Sequence, residues 1–139
     1  MLLFRSLKTG DDLKFEEFVQ YILKQGRERT DHLEMHWRPQ YNLCDPCHFK
    51  YDFIGHYETL QHDAEHVLRQ ITRYSINNTD FRFPATDVDN RNRNSQEFVQ
   101  QFYANVSASD IRGLLQLYKK DYDVFGFKYP DIVRQKLSI

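Results

Sequence analysis

All six histidines (His32, His36, His48, His56, His62 and His66) and both cysteines (Cys44 and Cys47) fall within 35 consecutive positions of this 139-residue chain. His32 and His36 stand four apart, and Cys44 and Cys47 have the C-x-x-C spacing of a metal-ligand pair, so one site drawing on all four is a zinc candidate. The order argues against it, because the Cys pair usually comes first and Trp37-Arg38-Pro39 intervenes. His62-Asp63-Ala64-Glu65-His66 fits H-x-x-E-H, which on a helix puts two imidazoles on one face with a carboxylate base. The same spacing also arises on any solvated, charged helix face. A redox role for Cys44 and Cys47 would need a helix starting at the first Cys, where Pro39 and Asn42 suggest a turn instead. His36-Trp37 is a third candidate: an indole face stacks on a ring, and the imidazole beside it accepts a hydroxyl proton. The plainer alternative makes Trp37 an apolar anchor and His36 its hydrogen-bonding neighbour.

Helices must position these groups. Asp11 to Gln25 has Phe15, Phe18, Val19, Ile22 and Leu23 at helical spacing, with acidic residues first and Gly26 after. Thr9 and Asp12 have the spacing of a capping box. Residues 26–42 read as irregular, with Trp37 and Pro39 as anchors. Tyr51 to Ile54 reads as a short buried strand ending at Gly55. Glu58 to Ile71 reads as a helix with Leu60, Ala64, Val67, Leu68 and Ile71 on one face. Residues 72–94, rich in Asn and Arg, read as a long loop. Two more helices follow, Ser95 to Val106 and Ser107 to Lys120, the second opened by a Ser-x-x-Asp cap. An aromatic tail over Tyr122 to Tyr129 should pack back on the body. Length suits one modest domain, and 11 Phe and 9 Tyr supply a core. A net charge of −1 gives no basic footprint for nucleic acid.

The run His36-Trp37-Arg38-Pro39, Cys44-Asp45-Pro46-Cys47 and Tyr51-Asp52-Phe53-Ile54-Gly55-His56-Tyr57-Glu58-Thr59 holds the one Trp, both Cys and two of four Pro. It resembles the Golgi carbohydrate sulfotransferases of the chondroitin, dermatan, N-acetylgalactosamine and HNK-1 type, whose signature runs HW-x-P, C-x-P-C, YD-x-x-G-x-x-ET. Asp63, Val67 and Leu68 match the D-x-x-x-VL that follows. Phe15-Glu16-Glu17-Phe18-Val19 matches an upstream F-x-x-FV helix. Phe102-Tyr103-Ala104-Asn105-Val106-Ser107 and Tyr118-Lys119-Lys120-Asp121, with its aromatic run, match the closing segments.

The resemblance implies an α/β nucleotide-binding fold with a parallel sheet. In it, residues 1–139 form the C-terminal part of one domain, mainly helical with one or a few short strands. It implies transfer of a sulfuryl group from 3′-phosphoadenylyl sulfate to a sugar hydroxyl in glycan biosynthesis. It also implies a luminal site in the Golgi membrane, a glycan acceptor and no metal. The donor chemistry needs backbone N–H groups and cations around the phosphosulfate. The five glycines, at 10, 26, 55, 113 and 126, form no phosphate loop. No cofactor-binding residue is therefore expected in these residues, and the chain reads as a fragment lacking the cofactor-binding half. Met1 to Phe4 is too short to span a bilayer, so membrane attachment would come only through a missing N-terminal anchor. In an oxidising lumen, Cys44 and Cys47 are expected to pair as a disulfide. Asn77 and Asn105 head two N-x-S/T sequons. The acceptor candidates are Trp37, Arg82, Arg91 and Arg93, with His36 as a weak candidate base. Tyr51, Asp52, Glu58 and Thr59 read as a structural network around Gly55. The competing account is a non-catalytic luminal module that binds glycans or a partner.

Overall fold

The structure, a computed structural model, describes residues 13–27, 29–73, 82–84 and 97–139. Two compact units are present, Met1–Phe49 with Glu97–Ile139 and Lys50–Gln96.

The first unit is an assembly of short helices. Helix α1 (Phe15–Gly26) opens where the Lys14 backbone N–H donates to Glu17 Oε2 at 3.1 Å. The expected Thr9–Asp12 capping box lies outside the described residues. A 3-10 turn (Thr30–His32) and a five-residue helix α2 (Gln40–Cys44) follow, the latter ended by Asp45 in the left-handed region at φ 44°. Helix α4 covers 97–103. Helix α5 (Ala108–Leu117) starts as its Ser-x-x-Asp pattern foretells, with Asp110 N–H donating to Ser107 Oγ at 3.0 Å. Helix α6 (Lys119–Phe125) ends at Gly126, whose φ of 68° suits a residue without a Cβ. Helix α7 (Asp131–Leu137) follows Pro130.

The core of this unit joins Val19 and Ile22 of α1, Leu33, Val106, Ile111 and Leu114 of α5, and Val133 of α7. Helices α1 and α5 approach closely at Gly113, where a Cβ would lie 3.0 Å from Leu23 Cδ2. The Phe15 ring packs against Phe102 and Tyr103 at 5.5 and 5.2 Å, joining α1 to α4. Lys136 of α7 donates to the carbonyls of Ala104 and Val106, tying down the turn that carries Asn105. The anchors at Trp37 and Pro39 are borne out, one half-buried and one buried.

The second unit contains helix α3 (Leu60–Arg73), entered through a 3-10 turn at Tyr57–Thr59. The helix expected over 58–71 is therefore present, shifted by two residues. The buried strand expected over Tyr51–Ile54 is not formed. The segment has no strand partner among the described residues, and Tyr51, Phe53 and Ile54 are 49%, 42% and 41% exposed. A strand needs a neighbour to satisfy its N–H and C=O groups, and none of the described residues supplies one. Of the expected loop over 72–94, Thr72 and Arg73 extend α3 and residues 82–84 are irregular. The rest, including Asn77, Arg91 and Arg93, lies outside the described residues. The aromatic tail packs back on the body as expected, with Phe125 buried and Tyr129 against the core, and residues 122–125 are the end of helix α6. The described residues are thus mainly helical, with no strand among them. None of their helices is long and apolar enough to cross a membrane.

Candidate functional site

Pro39 precedes α2 and has no side-chain acceptor for the first N–H groups of that helix, which must be satisfied from elsewhere. Asp121 of α6 does this from 80 residues away. Gln40 N–H donates to its Oδ2 and Tyr41 N–H to its Oδ1, each at 2.8 Å. Asp121 is only 5% exposed, and two charge-assisted bonds are what make so deep a carboxylate tolerable.

One turn earlier, Tyr118 Oη donates to the Trp37 carbonyl at 2.6 Å. Burial, with the Asp121 charge adding to it, pushes the Tyr118 phenol up to about 12, so it stays a donor at neutral pH. Arg38 reaches back with Nε and Nη2 to the Leu33 carbonyl, at 2.9 and 2.7 Å. The Trp37 indole meets Phe18 edge-on at 5.3 Å and Tyr21 at 6.4 Å. The result is a segment from Leu33 to Tyr41 with a fixed backbone and one exposed imidazole. His36 Nδ1 and backbone N–H both engage Glu34 at 2.9 Å. The backbone bond, then the ring, hold the Glu34 carboxyl below the usual range.

Cys44 and Cys47 are both exposed and are not bonded to one another here. Cys47 Sγ lies 3.3 Å from Tyr41 Oη, a contact that pushes the Tyr41 phenol up. The Tyr41 ring carries Lys120 Nζ at 4.5 Å from its centroid. His48 Nδ1 lies 2.8 Å from Asp45 Oδ1, which raises the His48 imidazole. Among the described residues, no three His, Cys, Asp or Glu side chains stand where they could share a metal ion. The zinc set of His32, His36, Cys44 and Cys47 is therefore not assembled.

In the second unit the focus is Asp63. Its Oδ2 accepts from Thr59 Oγ1 at 2.5 Å and from His56 N–H at 2.9 Å, closing the entry to α3. Those two bonds, with His62 at 3.4 Å adding less, lower the carboxyl to about 2. The members of the H-x-x-E-H pattern go separate ways. His62 faces Asp63, Glu65 accepts from Gln61 Nε2 at 2.7 Å, and His66 stacks on Phe53 at 5.4 Å. Beside them runs an open groove of about 560 Å³, lined by Phe53, Tyr57, Phe83, His56, Asp63 and the apolar face of α3. Arg82 is exposed next to Phe83, and Asn105 is exposed in the turn after α4.

The pairing of Tyr118 and Asp121 with the segment that follows His36 couples two distant sequence patterns into one structural device. The model of the sulfotransferase family matches residues 5–128. The chain belongs to the sulfotransferase family. Carbohydrate sulfotransferase 11 of Danio rerio is 36% identical over 129 residues, which is 93% of this chain and 35% of that relative. Carbohydrate sulfotransferase 12 of Xenopus laevis is 33% identical over 126 residues, 91% of this chain and 28% of the relative. Carbohydrate sulfotransferase 14 of Homo sapiens is 32% identical over 127 residues, 91% and 32% respectively. The chain thus spans about a third of the length of these relatives. No solved structure matches it.

A sulfotransferase donor carries phosphates and a sulfate, and the described residues do not fit it. Gly126 is the one described glycine with a positive φ, and it ends a helix instead of cradling an anion ahead of one. Several guanidinium groups are already engaged: Arg38 on Leu33, Arg29 on Asp31, Arg69 on Glu65 and Arg134 on Asp131. No step through the donor follows from these residues.

Sequence reasoning placed His36, Trp37 and Asp63 on meaningful segments but missed the roles of Tyr118 and Asp121. One signal was available: a helix beginning after Pro39 with no Ser, Thr, Asp or Asn cap needs a remote acceptor.

Proposed function

We propose that this chain is the acceptor-side part of a carbohydrate sulfotransferase. The reaction would move a sulfuryl group from 3′-phosphoadenylyl sulfate to a sugar hydroxyl, with the donor held by residues other than those described. What carries the reading is the similarity to carbohydrate sulfotransferases over nine-tenths of the chain. Support on the acceptor side comes from the hydrogen-bonded His36–Trp37 segment, with an exposed imidazole and beside it a half-buried indole whose uncovered part could meet a polyhydroxyl ligand. Arg82, Arg91 and Arg93 are the proposed grips on an anionic glycan of the glycosaminoglycan or N-acetylgalactosamine type. We place the protein on the luminal side of the Golgi membrane, with a Cys44–Cys47 disulfide and an N-glycan on Asn105.

The α/β fold of the complete domain belongs to the same proposal. Its support is the exposed Tyr51–Ile54 segment, with the residue types of a strand, followed by α3, whose apolar face contains no fully buried residue. An unpaired segment of strand-forming residues and a helix with an uncovered apolar face are suited to joining a parallel sheet.

The test is sulfate transfer by the protein purified from its natural source, given radiolabelled donor and unsulfated chondroitin. Label on the polysaccharide supports the proposal. Glycan binding without any transfer would replace it with the non-catalytic module.

A further inference from the structure

The segment around His36 and Trp37 has local bonds to Glu34 and Leu33, but where it runs into α2 it is held by side chains that lie some 80 residues further along the chain. Between Trp37 and Tyr41, one carbonyl and two N–H groups are taken by Tyr118 and Asp121, at 2.6, 2.8 and 2.8 Å. Pro39 supplies no N–H, so these three bonds fix the backbone where the irregular segment turns into α2. The carboxylate uses both oxygens, one per N–H, and sits at the start of α6, where it is nearly inaccessible to water. Its geometry is that of a clamp, and what it clamps is the presentation of Trp37 and, one residue before, the exposed His36.

We propose that Asp121, aided by Tyr118, is the positioning residue of the acceptor segment, setting the orientation in which His36 and Trp37 meet a glycan. This rests on the acceptor reading given above. Two acceptor oxygens are essential to the device. Asparagine offers one and turns an amide NH2 toward the second N–H, so two donors face each other. Glutamate keeps both acceptors on a longer arm. Phenylalanine at 118 removes only the bond to the Trp37 carbonyl. Neither Asp121 nor Tyr118 is proposed to touch the sugar.

Trp37 is the sole tryptophan, so its emission reports on the clamped segment directly. The experiment uses the 139-residue chain in four forms, Asp121→Asn, Asp121→Glu, Tyr118→Phe and wild type, with Val133→Ala as a core-weakened control. Acrylamide quenching of Trp37 should rise in Asp121→Asn and Tyr118→Phe while the far-ultraviolet helix signal stays, and Asp121→Glu should recover part of the protection. Val133→Ala, compared where it is still folded, should leave Trp37 quenching unchanged. Titration with an unsulfated chondroitin hexasaccharide should then show about tenfold weaker binding for Asp121→Asn, equivalent to ~1.4 kcal/mol, and no change for Val133→Ala. Unaltered quenching in Asp121→Asn, or wild-type affinity in that variant, would overturn the positioning role. A wild-type chain that does not bind the hexasaccharide would overturn the acceptor reading itself, whatever the quenching shows.

Discussion

Asp121 and Asp63 do similar work in different units: Asp121 accepts from two backbone N–H groups at the entry to α2, and Asp63 accepts from one backbone N–H and the Thr59 hydroxyl at the entry to α3. Replacing Asp121 by Ala leaves two poorly hydrated N–H groups without an acceptor and should cost on the order of 3 kcal/mol. Tyr118→Phe, which removes one bond, should cost about 1 kcal/mol; urea unfolding of both variants checks the ratio. Asp63 carries a pH signature. Its native carboxyl, lowered to about 2 by Thr59 and the His56 N–H, lies below its unfolded value. The stability it contributes is therefore fully present above about pH 4 and is lost as the pH falls toward 2. The protection factor of the His56 amide, with intrinsic exchange divided out, should fall across that window in the wild type and show no such dependence in Asp63→Asn, whose one carbonyl oxygen can still accept both bonds but does not titrate. At this scale the sequence was partly legible. The Ser107-x-x-Asp110 cap could be read because its partners are local, and Asp121 could not because its partners are 80 residues distant.

The longer helices were legible because their apolar residues repeat at the helical period, as in Phe15, Phe18, Val19, Ile22 and Leu23. The short ones were not. Helices α2, α6 and α7 have five, seven and seven residues, too few turns for a period to stand out, and tertiary contacts decide them. Tyr51–Ile54 has the residue types of a strand, yet a strand is a relation between segments, and its partner is not among the described residues. Two predictions belong to elements. Ser107→Ala should destabilise α5 by about 1 kcal/mol, whereas Ser107→Thr should be close to neutral; thermal melts of unglycosylated protein compare them. Gly113→Ala should be destabilising although alanine is the better helix former, because the added Cβ meets Leu23 at 3.0 to 3.1 Å. Pairing it with Leu23→Ala should restore much of the loss, which a double-mutant cycle would read.

At the scale of the molecule, the described residues form one well-packed core, in the unit containing α1, α5 and α7. Ile111→Ala should cost about 2–5 kcal/mol there, as for a fully buried aliphatic side chain. The second unit has no fully buried apolar residue among those described, and its helix α3 keeps an apolar stripe along an open groove. Family membership was legible in the sequence, since HW-x-P and the Tyr118-x-x-Asp121 run are compact patterns. Their mutual bonding emerged only in three dimensions. The acceptor-side role proposed for this chain can be tested on a complete enzyme. The most direct test replaces the matching third of carbohydrate sulfotransferase 11 of Danio rerio with this chain. Sulfate transfer to unsulfated chondroitin by the chimera is the predicted result. A folded chimera that binds adenosine 3′,5′-bisphosphate like its parent but transfers no sulfate to any glycan acceptor would contradict it.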